Sequence, residues 1–292
     1  MQTALIIGCG AAGTGIGARH VQRQDRVHGS TRDPKRASEL SRLGIQPVLL
    51  DLDSPDPNCE LPGDVAYLYY CAPPPPGGQT DPRLVRAMNM LAEAPPPARI
   101  IYLSTTGVYG DCGGERVTES RALNPMTDRA KRRDSAEKSA TGWCEKHGTE
   151  FVILRVSAIY GPGRLPLQRL REGKPVLRAE ESGPGNRIHL DDLAEICVAA
   201  AERAPAGSIY NVSDGNSMPS ADFMREVAAQ AGLPAPRTIS MQEAKTSLTE
   251  SSLSFLRESR LIDNSKMLSE LDIKLRYADP KDGIRASLKY SK

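Results

Sequence analysis

Leu5-Ile6-Ile7-Gly8-Cys9-Gly10-Ala11-Ala12-Gly13 is the stretch on which the fold turns. An apolar run closes on Gly-x-Gly-x-x-Gly and leads into Thr14–Arg23, whose composition suits a helix. Buried strand, tight glycine turn and helix is the order a dinucleotide site needs. Gly8 permits the turn, Gly10 admits a pyrophosphate close to the backbone, and Gly13 lets helix and strand pack. With Ala11 and Ala12 these residues form a cradle at a helix N-terminus, whose N–H groups and dipole favour phosphate. Taken alone, the glycine string also fits a βα turn with no ligand.

Working outward, Arg26-Val27-His28-Gly29-Ser30 reads as a second strand with Thr31-Arg32 at its tip. NAD sites place a carboxylate there for the ribose 2′-hydroxyl, and NADP sites place arginine or small polar groups for a 2′-phosphate. Thr31 and Arg32 therefore point to NADP, with NAD as the alternative, since guanidinium matches phosphate bidentately. Two other readings stay open: Arg32, Lys35 and Arg36 as a solvated helix start, or Asp33 turned in toward the ribose. A helix is expected over Arg36–Leu43, closed by Gly44, and a third strand over Ile45–Leu50. Leu52, within Asp51-Leu52-Asp53, either flanks an adenine or belongs to a strand-end turn. Residues 54–63 are proline-rich and expected to be loop.

Asp64–Cys71 is apolar almost throughout, as a central parallel strand should be. It runs into Ala72-Pro73-Pro74-Pro75-Pro76, where proline makes a stiff wall without N–H donors; Ala72 and Pro73 are the expected cofactor contacts. A helix over Asp81–Ala94 leads to a fifth strand that ends in Ser104-Thr105-Thr106, followed by Gly107-Val108-Tyr109-Gly110. Hydroxyls at the carboxyl end of a central strand suit a substrate oxygen, or they cap a turn.

Composition excludes several classes. The net charge of +2 over 292 residues gives no reason to expect nucleic acid as a partner. No apolar run approaches the ~18 residues of a membrane helix, and, with a strand leading directly into the glycine turn, no signal peptide is expected. Six scattered cysteines and four scattered histidines show no metal-ligand spacing. The expectation is a cytoplasmic protein with reduced thiols and no metal.

The glycine turn together with Ser104-Thr105-Thr106-Gly107-Val108-Tyr109-Gly110 resembles the extended short-chain dehydrogenase/reductase family, the NAD(P)-dependent epimerases and dehydratases. Arg155-Val156-Ser157-Ala158-Ile159-Tyr160-Gly161-Pro162-Gly163 is similar to its Leu-Arg-x-x-x-(Ile/Val)-Tyr-Gly-Pro-Gly segment. Asn186–Leu193 is similar to its Ile-His-Val-Asp-Asp-Leu segment, and Ser208–Asp214 to its last sheet strand. The resemblance implies a catalytic hydroxyl at Thr105 and cofactor contacts at Ser104, Ser157 and Ala158. It also implies a Tyr-x-x-x-Lys pair, and this is missing. Aligned on Pro125 and Glu137, Arg129 stands at the tyrosine position and Arg133 at the lysine position; a shifted register offers Thr127 and Lys131. Arg133 can anchor ribose or phosphate but cannot donate a proton. Tyr109 is the substitute acid named here, with Tyr160 the other candidate, although aromatic packing accounts for both. The chain is in this respect similar to the family's atypical members, which keep the cofactor fold without the pair.

The expected architecture is α/β, a doubly wound parallel sheet of Rossmann type. Residues 1–162 form the NAD(P)-binding core. Residues 163–292 complete the sheet near 208–212 and form a smaller substrate lobe. That lobe is expected to hold helices over Arg164–Gly173, Pro219–Ala231 and Asn264–Leu271, a helix to Glu202 capped by Asp191 with His189 as structural support, a polar stretch 242–259, and a strand at Leu275–Tyr277. The expected function is an NADP-binding oxidoreductase or epimerase/dehydratase-like protein acting on a small carbonyl or hydroxyl compound, for instance a sugar derivative. The alternative is a non-catalytic NADP(H) sensor or regulatory protein. A homodimer is the expected assembly.

Overall fold

The structure is a computed structural model that describes residues 1–54, 59–93, 95–247, 253 and 258–289. Strand β1 (Thr3–Ile7) is buried along its whole length, and α1 (Ala11–Gln22) starts directly from the glycine turn. The helix thus begins three residues before Thr14, because Gly10 serves as its N-cap. Next come β2 (Arg26–Thr31), α2 (Pro34–Arg42), β3 (Gln46–Leu49) and β4 (Tyr67–Tyr70). Asp33 caps α2 and Pro34 takes its first position, so this helix also starts earlier than predicted. β4 is shorter than Asp64–Cys71; Asp64 sits at φ +49 and cannot extend the strand.

Helix α3 (Pro82–Ala92), capped by Asp81, precedes β5 (Arg99–Thr105). After β6 (Arg116–Val117), α4 (Asp128–His147) runs from a Thr127 cap to Gly148 in the left-handed region. Strands β7 (Glu150–Val156) and β8 (Ala158–Tyr160) lead to the short α5 (Leu167–Arg171) and β9 (Val176–Leu177). Then follow β10 (Arg187–His189), α6 (Leu190–Arg203), β11 (Ile209–Val212) and α7 (Ser220–Gln230). The remaining described elements are β12 (Thr238–Ile239), α8 (Met241–Ser247), β13 (Leu261–Ile262), α9 (Ser265–Glu270) and α10 (Pro280–Lys289).

The main sheet has seven parallel strands in the order β11-β7-β5-β4-β1-β2-β3. After β3 the chain crosses to the other side of β1, so the connection reverses between β1 and β4. Ligands of doubly wound sheets bind at that switch point, outside the carboxyl ends of the strands. Alternate residues of each strand face opposite layers. Leu5 and Ile7 join Leu68, Tyr70, Leu84, Ile100 and Tyr102 beneath α3 and α4. Ala4 and Ile6 join Ile16, Ile101, Leu154, Leu193 and Ala194 beneath α1 and α6.

Several expectations for the C-terminal region are corrected. His189, not Asp191, is the N-cap of α6: its Nδ1 accepts the Asp191 N–H at 3.1 Å. Leu275–Tyr277 is not a strand. The backbone N–H groups of Arg276 and Tyr277 donate to the Asp192 carboxylate at 2.8 and 2.9 Å, which commits them to that side chain rather than to a ladder. The helix expected over Arg164–Gly173 is confined to α5, and α8 and α10 were not anticipated. Residues 55–58 of the proline-rich loop, 248–252 and 254–257 of the polar stretch, and Ala94 at the predicted end of α3 lie outside the described residues.

Candidate functional site

The glycine turn places three constraints on one another. Gly8 takes φ +85, and a Cβ there would lie 2.5 Å from the Ala72 nitrogen. A Cβ on Gly13 would meet Ile6 at 2.8 Å, so helix and strand touch at that point. The Gly8 N–H donates to Ser30 Oγ and the Cys9 N–H to the Ser30 carbonyl, both at 2.8 Å. These bonds tie the turn to the end of β2. Gly10, by contrast, has nothing within 4 Å of where a Cβ would stand, and α1 has neither a side-chain cap nor an acidic residue in its first turn. A helix N-terminus left this way opens its orphan N–H groups to a ligand.

In front of the turn lies a cleft of about 700 Å³ across the carboxyl ends of the central strands. Gly8, Gly10, Ala11, Ala12, Gly13, Thr31, Arg32, Leu52, Ala72, Pro73, Ser104 and Arg133 all line it. Thr105, Tyr109, Ser157 and Ala158 are not among its lining residues. Ser157 is buried, with its N–H on the Val212 carbonyl, and Ala158 is exposed on β8. Lining residues that the motifs did not single out include Cys9, Arg36, Arg83, Val156, Ile159 and Arg164. Arg83 lies on α3, far along the chain from β2, so no local spacing announces it.

At the tips of β2 and β3 most of the charge is already arranged. Asp53 is gripped by Arg83 through two bonds of 2.7 and 2.5 Å, which holds its carboxyl below the usual carboxylate range. Arg32 reaches the same carboxylate at only 3.5 Å and remains 69% exposed. Asp33 accepts the Lys35 N–H and so caps α2. Asp51 accepts the Asp53 N–H at 2.9 Å, which makes the predicted turn, while Leu52 is buried against the cleft. Arg36 donates to Thr14 Oγ1 at 2.5 Å and so leans over the start of α1.

The far end is backed by a buried polar chain. Ser104 Oγ donates to Glu137, and Arg155 meets the same carboxylate at 2.8 and 3.3 Å. Arg155 also donates to the Tyr109 hydroxyl at 3.0 Å, and Tyr109 donates to Asn211 Oδ1 at 2.8 Å. Tyr109 is only 1% exposed. Its phenol is spent on this chain, burial pushes its pKa up, and it does not reach the cleft as an acid. Tyr160 is also buried, its pKa raised by desolvation. Thr105 is half-buried, and its Oγ1 accepts the Gly107 N–H at 3.2 Å. Thr127 caps α4 by accepting the Ala130 N–H, so the shifted Thr-x-x-x-Lys register is used for helix capping. Arg133 donates to the Tyr102 hydroxyl at 3.1 Å. Arg129 is half-buried, and desolvation lowers its pKa. His189 is buried and pushed down to about 4 by desolvation, so it stays neutral as a cap.

Comparison with known proteins agrees with this geometry. The NAD dependent epimerase/dehydratase family matches residues 77–213. Protein YeeZ of Escherichia coli (strain K12) is 28% identical over 292 residues, covering 96% of this chain and 98% of its own. Human dTDP-D-glucose 4,6-dehydratase is 25% identical over 49% of this chain and 44% of its own. A functionally unknown conserved protein from Silicibacter pomeroyi superposes with a TM-score of 0.85 at 28% identity, over 100% of this chain and 99% of its own. UDP-glucuronic acid 4-epimerase from Bacillus cereus, in complex with NAD, shares the fold with a TM-score of 0.77 at 18% identity, covering 99% and 98%. Glycine turn, parallel strand order and family match point the same way: residues 77–213 match the NAD dependent epimerase/dehydratase family, and the chain shares the fold of the solved epimerase.

Proposed function

We propose that the cleft binds a nicotinamide dinucleotide, NADP(H) in preference to NAD(H). On this reading the chain is an oxidoreductase or epimerase/dehydratase-like protein acting on a small carbonyl or hydroxyl compound such as a sugar derivative. The observation that carries it is the uncapped start of α1, which opens at Gly10 onto a cleft at the sheet's switch point. The NAD held by the Bacillus cereus epimerase supports a nicotinamide cofactor. The preference for a 2′-phosphate rests on Arg32 and Arg36. Of the acidic side chains beside them, Asp33 caps α2 and Asp53 is held chiefly by Arg83, while Glu39 pairs with Arg36 at 2.5 Å.

The cofactor, when bound, supplies the hydride chemistry. Thr105 is the residue proposed to orient the reacting oxygen. Its Oγ1 accepts from Gly107, which leaves the O–H free to donate. Titration of the purified chain with NADPH and NADH tests the cofactor assignment. Arg32→Ala is expected to weaken NADPH at least tenfold, about 1.4 kcal/mol, and NADH less than threefold. Equal losses would contradict the 2′-phosphate assignment.

A second reading, a sensor that holds NADP(H) without turnover, is favoured by one observation. The Tyr-Lys positions hold Arg129 and Arg133, and Tyr109 is buried away from the cleft. Thr105→Ala separates the two readings. Under the enzyme reading it abolishes reduction of a carbonyl panel while leaving NADPH affinity within twofold. A wild-type chain that binds NADPH tightly yet reduces nothing in the panel favours the sensor.

A further inference from the structure

The cleft is electrostatically uneven. Its lining carboxylates, Asp33, Asp51 and Asp53, all stand beyond the tips of β2 and β3. In the other half, walled by the ends of β5, β7 and β8, the charged lining groups are Arg133 and Arg164. Neither forms an ion pair with a described residue; Arg133 donates only to the neutral phenol of Tyr102. The carboxylate behind this wall, Glu137, is already bound by Arg155 and Ser104. Asp81, the other acid that feels Arg133, is buried at the start of α3, and desolvation raises its pKa.

A dinucleotide whose pyrophosphate lies on α1 and whose adenosine lies toward β2 and β3 sends its nicotinamide toward β5 and β7. The oxidised ring carries a positive charge, and the reduced ring carries none. Like charges in a cleft walled by protein repel more strongly than in bulk water. We propose that this half of the cleft discriminates by redox state, binding NADPH more tightly than NADP⁺, with Arg133 and Arg164 as the discriminating residues. The inference rests on the cofactor reading above. It makes the reduced dinucleotide the resting ligand and suits hydride donation to a carbonyl substrate or the sensing of reductant.

Calorimetric titration of the full chain with NADPH and with NADP⁺ at low salt tests it. NADPH is expected to bind at least tenfold tighter. Arg164→Ala is expected to narrow that ratio at least threefold, mainly by sparing or strengthening NADP⁺ binding, and Arg133→Gln to narrow it at least threefold while weakening both redox forms through loss of its anchoring contact. Arg164 is exposed, so its variant folds even if loss of the Tyr102 contact destabilises the other. The NADH/NAD⁺ pair should show the same ratio, because the 2′-phosphate plays no part in it. A wild-type ratio within twofold, or a ratio unmoved in Arg164→Ala, overturns the proposal. Binding of neither redox form would remove the dinucleotide reading itself, and this inference with it.

Discussion

Gly8→Ala is expected to unfold the nucleotide cleft more severely than any other single methyl group added to this chain's glycine turn. The backbone there sits at φ +85, where a side chain costs about 1–2 kcal/mol. The new Cβ would also lie 2.5 and 2.6 Å from the Ala72 nitrogen and Cα. These are backbone atoms of the segment that follows β4, so relief requires β1 and β4 to part. Overpacking of this kind adds a further ~1–3 kcal/mol. Urea denaturation should show a loss of about 3 kcal/mol, with NADPH binding lost as well. Gly10→Ala is the matched control. With nothing within 4 Å and φ −79, it should leave stability within about 0.5 kcal/mol, yet it fills the space a phosphate would use. Its NADPH affinity should fall at least tenfold. A Gly8→Ala protein with the wild-type denaturation midpoint would show that the β1–β4 approach does not depend on that residue.

Arg155→Met carries the second large effect. Arg155 and Glu137 are both about 5% exposed and pair at 2.8 Å. Removing the guanidinium strands a buried carboxylate, which costs about 3–5 kcal/mol. It also removes one partner of Tyr109 and loosens the carboxylate that holds Ser104 at the cleft wall. Replacing both members, as Glu137→Leu with Arg155→Met, should recover much of the loss, because an apolar pair leaves no uncompensated charge. Equilibrium denaturation of the two singles and the double forms the test. A single variant that loses less than about 1 kcal/mol would mean that water or another group satisfies Glu137.

How much of this was legible varies residue by residue. β1, the glycine turn and β2 are local, so apolar runs and glycine spacing disclosed them. Helix starts were less legible. α1 and α2 begin two or three residues early because Gly10 and Asp33 act as caps, which depends on backbone geometry rather than residue type alone. The Asp192 carboxylate took the backbone of Arg276 and Tyr277 out of any strand, through a contact more than eighty positions away in the chain. Among site residues, those on the turn and strand tips came from motif spacing. Arg83 and Arg164 did not, since their places in the cleft follow from how α3 and the Gly161–Gly163 turn pack onto the sheet.

The residues by themselves determined that a parallel sheet would form around Leu5–Ile7, and that its first turn would be able to approach a phosphate. Alternating apolar runs and glycines act over a few positions, and a linear string contains that information. Only the tertiary structure decided which polar groups meet. It buried Tyr109 against Arg155 and Asn211, gave Asp53 to Arg83, and gathered Arg133 and Arg164 into the half of the cleft without lining carboxylates. Those partners lie on different elements. Which charge is neutralised, and which is left for a ligand, depends on burial and distance, and neither exists until the sheet and its helices have packed.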